Sequence, residues 1–273
     1  MKQKETPLVS IVIPTYNREN TIVDSIKCAL NQTYSNIEVI IVDNNSSDTT
    51  LEIINDSFHD SRLIVIKNEE NIGPVKNWQK GIKKSRGRYL KILFSDDLIS
   101  KNFIEDSIKL IHDDVAFVIT PIEIFKKNLK NTISWSKYDN LKTISKFLYL
   151  LNILIYNKLK FPVSPGAALF RKKDIINTLE KNMQNKFNID FNRTGAGPDL
   201  NLYLYTVLNY RKIAINNNSK SYFRSHKDSI TISNNLILEY ETSKMLFAKK
   251  NLHPVFMLLL DLKIYIKGLY NNL

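Results

Sequence analysis

The sequence has little of what several large classes of protein need. Its one cysteine, Cys28, cannot form an internal disulfide, which is typical of proteins that work in a reducing compartment. No uninterrupted apolar run reaches the ~18 residues of a membrane-spanning helix, and no charged-then-apolar leader opens the chain. We therefore expect a cytoplasmic protein with a substantial core, in which Cys28 is more simply a small core residue than a reactive thiol.

Glycine is also scarce, with 7 among 273 residues. Two common phosphate-binding loops, Gly-x-Gly-x-x-Gly after the first strand and Gly-x-x-x-x-Gly-Lys-Ser/Thr anywhere, are absent. The formal net charge is nevertheless +12, so the surface should attract anions such as lipid head groups or phosphorylated small molecules. The basic residues are spread along the chain without a recognisable nucleic-acid motif, and we expect no nucleic-acid partner. A bound pyrophosphate would therefore need basic side chains and a cation in place of a glycine cradle.

Short β-branched runs alternate with helical patterns through the first half of the chain. This alternation predicts an α/β fold, with a mostly parallel sheet, right-handed crossovers and flanking helices. The second half is less regular and ends in a helical region from about Leu236. The predicted strands are 9–14, 38–42, 62–66, 89–94, 115–120 and 212–215, with a further strand within 121–160. The predicted helices are 19–30, 75–84, 103–111, 141–156 and 200–208, with a short helix through Leu51, Ile53 and Ile54.

Acidic side chains follow two of the predicted strands. Asp43 ends the second strand, and Asp96 and Asp97 end the fourth. Parallel strands bring such loops to one edge of the sheet, where α/β proteins bind their ligands. A pair of carboxylates at this edge can hold Mg²⁺ or Mn²⁺. The alternative is that Ser95-Asp96-Asp97 is only a turn that caps the next helix.

Two segments of the second half carry further candidate groups. Asp199 follows Gly195-Ala196-Gly197-Pro198 at the start of a predicted helix, where it could cap the helix or act as a general base on a glycine loop. Arg224 and His226 lie in a basic segment that could meet an anion, and a neutral imidazole could also ligate a metal. The C-terminal helix has an apolar face edged by lysines, which either packs on the domain or docks on an anionic bilayer.

Taken together, these segments resemble the family-2 glycosyltransferases, which have the GT-A fold. The second half matches more loosely, through Pro198-Asp199 and Arg224-Ser-His226, and Phe94 stands where many members carry a further acid. The motifs of the first half are Val9-Ser-Ile-Val-Ile-Pro-Thr-Tyr-Asn-Arg18, Gln32-Thr-Tyr-Ser-Asn-Ile-Glu-Val-Ile-Ile-Val-Asp43 followed by Asn45-Ser-Ser-Asp48, Asn71-Ile-Gly73 through Asn77 to Gly81, and Gly87-Arg-Tyr-Leu-Lys-Ile-Leu-Phe-Ser-Asp-Asp97.

The resemblance implies an inverting transfer of one sugar from a nucleotide-diphosphate sugar, with uridine diphosphate (UDP) as the default carrier and Mn²⁺ or Mg²⁺ on the diphosphate. The acceptor would be a growing surface glycan such as lipopolysaccharide or capsule, at the inner face of the cell membrane. The Gln-x-x-Arg-Trp motif of processive synthases is absent, which favours single-sugar transfer. By position, Asp199 would be the catalytic base, Asp97 and His226 would ligate the metal, and Arg224 would bind a phosphate. The donor site would contain Pro14, Thr15, Tyr16, Arg18, Asp43, Lys76, Asn77, Ser95 and Asp96.

The resemblance also predicts how the chain is divided. Residues 1–120 would bind the donor, residues 121–234 of the same domain would carry the acceptor site and the base, and residues 235–273 would form a helical extension. Two other functions stay open. A sugar-nucleotide nucleotidyltransferase would share the α/β nucleotide domain, although such enzymes usually carry an early glycine-rich loop. A non-catalytic module could use the same fold and its positive charge to dock on a membrane.

Overall fold

The computed structural model describes residues 6–126, 129–138, 140–179, 189–225, 236–256, 258–260 and 262. Within these ranges the chain is a mixed α/β structure, with helices on both faces of a large sheet. The strands are β1 (Val9–Thr15), β2 (Ile37–Asp43), β3 (Leu63–Lys67), β4 (Tyr89–Ile92), β5 (Leu98–Ile99), β6 (Val115–Ile119), β7 (Ile122–Phe125), β8 (Thr132–Ser134), β9 (Thr143–Ser145), β10 (Ala168–Arg171), β11 (Lys212–Ile215) and β12 (Ser221–Arg224). The helices are α1 (Ile22–Leu30), α2 (Thr50–Ser57), α3 (Pro74–Lys84), α4 (Phe103–Leu110), α5 (Lys146–Leu151), α6 (Lys172–Leu179), α7 (Phe191–Thr194), α8 (Pro198–Leu208) and α9 (Ile237–Asn251).

Eight strands form the main sheet, in the order β3-β2-β1-β4-β10-β6-β11-β9. β1 pairs in parallel with β2 and β4, and β2 pairs in parallel with β3. The prediction of parallel strands is therefore confirmed for the first four. β10 is antiparallel to both of its neighbours and separates β4 from β6. A second sheet has the order β5-β12-β7-β8.

Alternate residues of β1 enter two different cores, one on each face of the sheet. Val12 lies in the core that α3 and α8 cover, whereas Ile11 and Ile13 lie in the core that α1 and α4 cover. A Cβ atom at Gly81 of α3 would lie 2.5 Å from Cγ1 of Val12 and 2.9 Å from Cγ2 of Val42. Glycine at this position therefore lets α3 approach the sheet closely, which is one reason for the glycine in the Asn71–Gly81 motif.

The predicted elements of the first half are confirmed within a few residues, while the later boundaries were less accurate. The helix predicted over 141–156 begins only at Lys146, because Thr143–Ser145 pairs with β11 as the edge strand β9. A turn of π-helix, Asn152–Tyr156, follows α5 directly. The short strands β5 and β8 were not predicted, since two or three residues carry no readable alternation.

The helical C-terminal region is confirmed by α9, which begins one residue after Leu236. Beyond α9, Phe256 packs on the main core and Leu260 is fully buried, whereas Val255 and Leu258 are exposed. Part of the predicted apolar face therefore packs on the domain. None of the helices in the described ranges is both long and apolar enough to span a bilayer.

Candidate active site

Hydrogen bonds join the loops that follow β1 and β2 at one edge of the main sheet. Ser46 makes the link, because its Oγ donates to Oδ1 of Asp43 (2.5 Å) and accepts from the backbone N–H of Asn17 (2.9 Å). The backbone N–H of Ser46 donates to the other carboxylate oxygen of Asp43 (2.9 Å). Asn17 itself has a left-handed φ of 50°, and its Oδ1 accepts from the backbone N–H of Ser47 (2.9 Å). Asp43 and the loop after β1 therefore form one ordered unit.

The predicted nucleotide residues of the β1 loop differ in how much of each reaches the surface. Thr15 is buried, Pro14 and Arg18 are half-buried, and Tyr16 is 43% exposed. A guanidinium nitrogen of Arg18 donates to the carbonyls of Tyr16 (3.3 Å) and Asn17 (3.0 Å), so the arginine braces its own loop. The aromatic ring of Tyr16 is the largest surface that this loop offers to a planar ligand.

Asn77 and Lys76 lie at the start of α3 but in different surroundings. Asn77 is buried, its Nδ2 donates to the carbonyl of Val42 (2.8 Å), and its Oδ1 accepts from Nδ2 of Asn68 (2.8 Å). Asn68 also donates to Oδ1 of Asn44 (3.0 Å), which extends the buried amide network to the loop after β2. Both ends of the Asn77 amide are thus engaged within the fold, whereas Lys76 is exposed.

Asp96 and Asp97 form a turn that leads into β5. The backbone N–H of Asp97 donates to the carbonyl of Phe94 (3.0 Å), which closes the turn. Helix α4 begins later, with Asn102 as its N-cap residue, so the alternative that the acidic pair caps the next helix is wrong. Oδ1 of Asp97 accepts from the backbone N–H of Arg224 (3.0 Å), and the Asp96 carbonyl accepts from Nε of the same arginine (3.0 Å).

Helix α1 supports this acidic turn from the face of the sheet that α1 and α4 cover. Oγ1 of Thr21 donates to the carbonyl of Ser95 (2.9 Å), and Oγ of Ser25 donates to the carbonyl of Asp97 (3.0 Å). Asp24 of α1 pairs with Arg224 (3.1 Å), which holds the arginine across the turn. The turn is therefore fixed by contacts from two elements distant in sequence.

The surroundings of Asp97 disfavour its charged form. Burial, together with the charge of Asp96, raises the pKa of Asp97 well above its usual range, against the opposing effects of Arg224 and Lys91. Lys91 of β4 is fully buried beneath the turn, where its Nζ donates to the carbonyl of Gly166. Burial lowers the pKa of Lys91 to about 7, so this lysine is a weak internal counter-charge.

Asp199 lies in the first turn of α8, after a loop with two glycines in the left-handed half of φ. Gly195 has a φ of 77° and Gly197 a φ of 100°, values that other residues rarely adopt. Oδ1 of Asp199 accepts from the backbone N–H of Gly197 (2.8 Å) and of Leu200 (2.6 Å), and Oδ2 accepts from the hydroxyl of Tyr240 on α9 (2.7 Å). The N-cap residue of α8 is therefore Gly197 and not Asp199, whose carboxylate binds backbone N–H groups of the first turn through one oxygen only.

Burial is the main reason why the carboxyl group of Asp199 is a weaker acid than usual. It raises the pKa of this carboxyl to about 7, although the bonds from Tyr240 and the backbone N–H groups act in the opposite direction. A carboxyl group with a pKa near 7 can both accept and release a proton at neutral pH. The electrostatics therefore suit Asp199 to proton transfer.

Residues 164–166 connect the surroundings of Asp199 with those of the acidic turn. The hydroxyl of Tyr203 on α8 donates to the carbonyl of Ser164 (2.6 Å), while Lys91 bonds to Gly166 two residues later. A Cβ atom at Gly166 would lie 3.4 Å from the ring of Phe94, just before the acidic pair. Residues 164–166 thus contact both the helix that carries Asp199 and the strand that leads to Asp96 and Asp97.

Several supporting residues were missed from the sequence. Lys91 had a visible signal, as the only basic residue in an otherwise apolar strand. Ser46 lies in the motif Asn45–Asp48 and only three residues from Asp43, but it was not singled out. Tyr240 had no signal, because its bond to Asp199 depends on a partner that only the fold brings near. Among the described residues, no group of three or more His, Cys, Asp or Glu side chains could hold a metal ion. The predicted metal ligand His226 lies outside those residues.

Comparison with known proteins identifies the family. The family profile described as "Glycosyl transferase family 2" matches residues 10–179. The chain belongs to this family. Two Escherichia coli proteins are similar to it, the UDP-Glc:alpha-D-GlcNAc-diphosphoundecaprenol beta-1,3-glucosyltransferases WfaP and WfgD. WfaP is 41% identical over 110 residues, which cover 40% of this chain and 43% of WfaP, and WfgD is 36% identical over 123 residues, which cover 44% and 48%. The chain thus spans less than half of the length of these family-2 relatives.

Solved structures resemble this chain over almost its whole length. The Staphylococcus aureus TarS fragment 1–349, in complex with UDP-GlcNAc, superposes with a TM-score of 0.66 at 18% identity. The match covers 92% of this chain and 70% of that fragment. At this identity the likeness concerns the fold, and it confirms the prediction of a GT-A-type α/β fold with a helical C-terminal region.

Proposed function

We propose that the protein is an inverting glycosyltransferase that moves one sugar from a nucleotide-diphosphate sugar to a hydroxyl group of a growing bacterial surface glycan. The observation that carries the proposal is the buried Asp199 carboxylate on its glycine loop, together with the parallel strands that bring Asp43, Asp96 and Asp97 to one edge of the sheet. The names of the two Escherichia coli relatives support a glycan acceptor, such as a precursor of lipopolysaccharide or capsule. The same names and the TarS complexes with UDP and UDP-GlcNAc support UDP as the carrier.

Asp199 would act as the general base. Its Oδ2 would take the proton of the acceptor hydroxyl while the acceptor oxygen attacks the anomeric carbon, on the face opposite the nucleotide diphosphate. The bond between the anomeric carbon and the diphosphate oxygen breaks in the same displacement. A single displacement inverts the anomeric configuration, since no second attack restores it.

The donor would bind across the loops after β1 and β2. Asp43 would accept a hydrogen bond from the base of the nucleotide, and Thr15, Tyr16 and Arg18 would line the same site together with Pro14. Ser95 and Asp96 would lie near the ribose or the donor sugar. Lys76 is exposed and can reach a phosphate, whereas Asn77, with its amide engaged on both sides, would act by holding the loop after β2 in place.

The donor set of the acidic turn fits a divalent cation such as Mn²⁺ or Mg²⁺. Such ions are often held by one or two carboxylates together with substrate phosphates, and the turn supplies the two carboxyl groups of Asp96 and Asp97. Asp97 would be the principal protein ligand, and His226 could complete the set. When bound, the ion would stabilise the negative charge of the departing diphosphate. Arg224, held beside both aspartates, would add positive charge at the same place.

A donor panel with and without metal tests the proposal directly. Hydrolysis or transfer of UDP-, dTDP- and GDP-linked sugars would be measured with Mn²⁺, with Mg²⁺ and with EDTA. We expect one UDP-sugar to be preferred and EDTA to abolish turnover. Release of pyrophosphate from a nucleoside triphosphate and a sugar phosphate would instead indicate the nucleotidyltransferase.

The base assignment needs a matched pair of variants. Asp199→Asn should lower kcat by about 10²- to 10⁴-fold with little change in the donor KM, because only proton transfer is lost. Asp190→Asn is the control, since the Asp190 side chain accepts from the Asn192 N–H (3.0 Å) at the start of α7 and has only a capping role. Near-normal transfer by Asp199→Asn with its true acceptor would show that another group is the base.

Peripheral contact with an anionic membrane is part of the proposal. Phe147 and Leu148 of α5 are exposed, and the ring of Phe147 lies 6.1 Å from that of Phe256, next to the exposed Val255. This apolar surface and the net charge of +12 suit a bilayer that carries a lipid-linked acceptor. Equal flotation with neutral and anionic vesicles would contradict the electrostatic part of this contact.

A further inference from the structure

Helix α9 contacts the glycine loop through side chains on a single helical face. Tyr240 reaches Asp199, and one turn later Oγ of Ser243 lies 3.4 Å from the Gly197 carbonyl and 3.1 Å from Oδ1 of Asn201. The next turn brings Phe247, which is buried and packs edge-on against Tyr205 of α8 at 5.1 Å between ring centroids. The spacing of three and four residues places these side chains along one line of α9. The helix is therefore held firmly against the segment that carries the proposed base.

The hydrogen bonds to Asp199 distinguish its two oxygens. A carboxylate offers about four lone-pair sites, two on each oxygen. Both sites of Oδ1 are taken by the backbone N–H groups of Gly197 and Leu200. Oδ2 accepts from the hydroxyl of Tyr240. We therefore expect an incoming acceptor hydroxyl to bond to Asp199 through Oδ2, the oxygen that Tyr240 orients.

We propose that Tyr240 is a positioning residue for the base: its hydroxyl orients Oδ2 of Asp199 and stabilises the ionised carboxylate that must take the acceptor proton. The inference rests on the proposed role of Asp199. It assigns the C-terminal helix a direct part in the chemistry, through a residue 41 positions away along the chain.

The charges around this pair are consistent with a permanent donor. Burial first, and then the charge of Asp199, raise the pKa of Tyr240, so the phenol keeps its proton throughout the working range. Glu239, next to Tyr240 on α9, acts in the same direction. On α8, Tyr203 also lies within range of the Asp199 charge, and burial raises its pKa as well. Tyr240 is the side chain that most strongly opposes the effect of burial on Asp199.

The test is the pH dependence of kcat in Tyr240→Phe, which keeps the ring and removes the hydroxyl. Without this bond the Asp199 carboxylate is less stable, so we expect the acidic limb of the profile to move up by about one pH unit. The rate should fall about tenfold below that limb and recover at higher pH, while the donor KM stays unchanged. A fluorinated tyrosine at position 240, a stronger donor, should move the limb in the opposite direction.

Two control variants separate positioning from packing. Ser243→Ala removes another contact of the same helix face with the glycine loop, and Tyr203→Phe removes a buried hydroxyl of α8 that bonds to the Ser164 carbonyl. Neither touches the Asp199 carboxylate in the structure, so both should leave the limb in place. An equal shift of the limb in Ser243→Ala would overturn the inference, because docking of α9 would then explain it.

Carbon-13 NMR titration of the Asp199 carboxyl, assigned with Asp199→Asn, gives a measurement that is independent of catalysis. Tyr240→Phe should raise the observed pKa of this carboxyl. An unchanged titration would overturn the role of Tyr240 even if Asp199 proved to be the base. A normal transfer rate in Asp199→Asn would instead overturn the proposed base, which keeps the two failures distinguishable.

Discussion

Glu38 lies at the amino end of β2, Asp97 follows the carboxyl end of β4, and both carboxylates are buried. Glu38 accepts from Oγ of Ser10 (2.6 Å), from the backbone N–H of Arg86 (2.6 Å) and from Nε of Arg86 (3.0 Å). Burial alone would raise the pKa of Glu38, but these bonds outweigh burial and the pKa is lowered. The pKa of Asp97 is raised, because burial and a second acid dominate over its partners.

The difference lies in how far the surroundings of each acid stabilise its charge. At the amino end of the strands, the fold supplies enough donors to stabilise a buried charge, which then joins β1, β2 and the segment before β4. At the carboxyl end, burial and the charge of Asp96 oppose the ionisation of Asp97 more strongly than its partners favour it. Such uncompensated groups are common at functional sites, where stability is lower than it could be.

Asp97→Asn should have the largest effect, because it removes the charge on which the proposed cation depends. We expect transfer to fall at least 100-fold, similar to the loss of one group that stabilises a transition-state charge. The folded protein should nevertheless become more stable in the absence of metal. Since the folded pKa of Asp97 is raised, wild-type stability falls as pH rises from the unfolded value toward the folded one, and the variant lacks this fall.

Denaturant unfolding at pH 5 and pH 8 in EDTA, together with the transfer assay, measures both effects. The variant should gain most over the wild type at pH 8. Loss of stability at both pH values would mean that the Asp97 carboxylate is as well satisfied as that of Glu38, and the comparison would fail.

Glu38→Gln should reverse this pattern. The amide presents NH₂ where the carboxylate accepts, so we expect a loss of about 2 kcal/mol in the free energy of unfolding at pH 7. The activity per folded molecule should be unchanged. Because the folded pKa of Glu38 is lowered, its stabilising contribution is present above the unfolded value and is lost as pH falls through the folded one, so the two proteins should converge in acid.

Arg86→Ala is the matched control for Glu38. The Arg86 side chain is 73% exposed, and its backbone N–H remains in the variant, so the loss of stability should be well under that of Glu38→Gln. A larger loss in Arg86→Ala would place the stabilisation in the exposed ion pair rather than in the buried bonds.

Ser46→Ala should have the smallest effect, because Asp43 keeps the bond from the backbone N–H of residue 46. The hydroxyl joins Asp43 to the β1 loop, so its loss should loosen the donor site without touching the chemistry. We expect the donor KM to rise about fivefold, which corresponds to a net loss of about 1 kcal/mol, with kcat nearly constant. Steady-state kinetics would measure both constants, and a fall in kcat with an unchanged donor KM would contradict this prediction.

The first four strands and their helices could be predicted from the sequence because their β-branched runs and four-residue spacings are local signals. The insertion of β10 between β4 and β6 could not, since Ala168–Arg171 is short and its partners lie about fifty and eighty residues away along the chain. The acids at the strand ends were visible, because topology alone brings them to one edge. Tyr240 was not, because only the tertiary fold places it on Asp199.

The position of β10 bears on how the protein can be made and divided. In a fragment that ended at residue 120, β6 would lack both β10 and β11, and the outer edge of β4 would be unpaired. An unpaired, apolar strand edge invites association between chains. A nascent chain can therefore complete its central sheet only once the strand at residues 168–171 has left the ribosome. The predicted donor half, residues 1–120, would therefore expose unpaired strand edges if it were expressed alone.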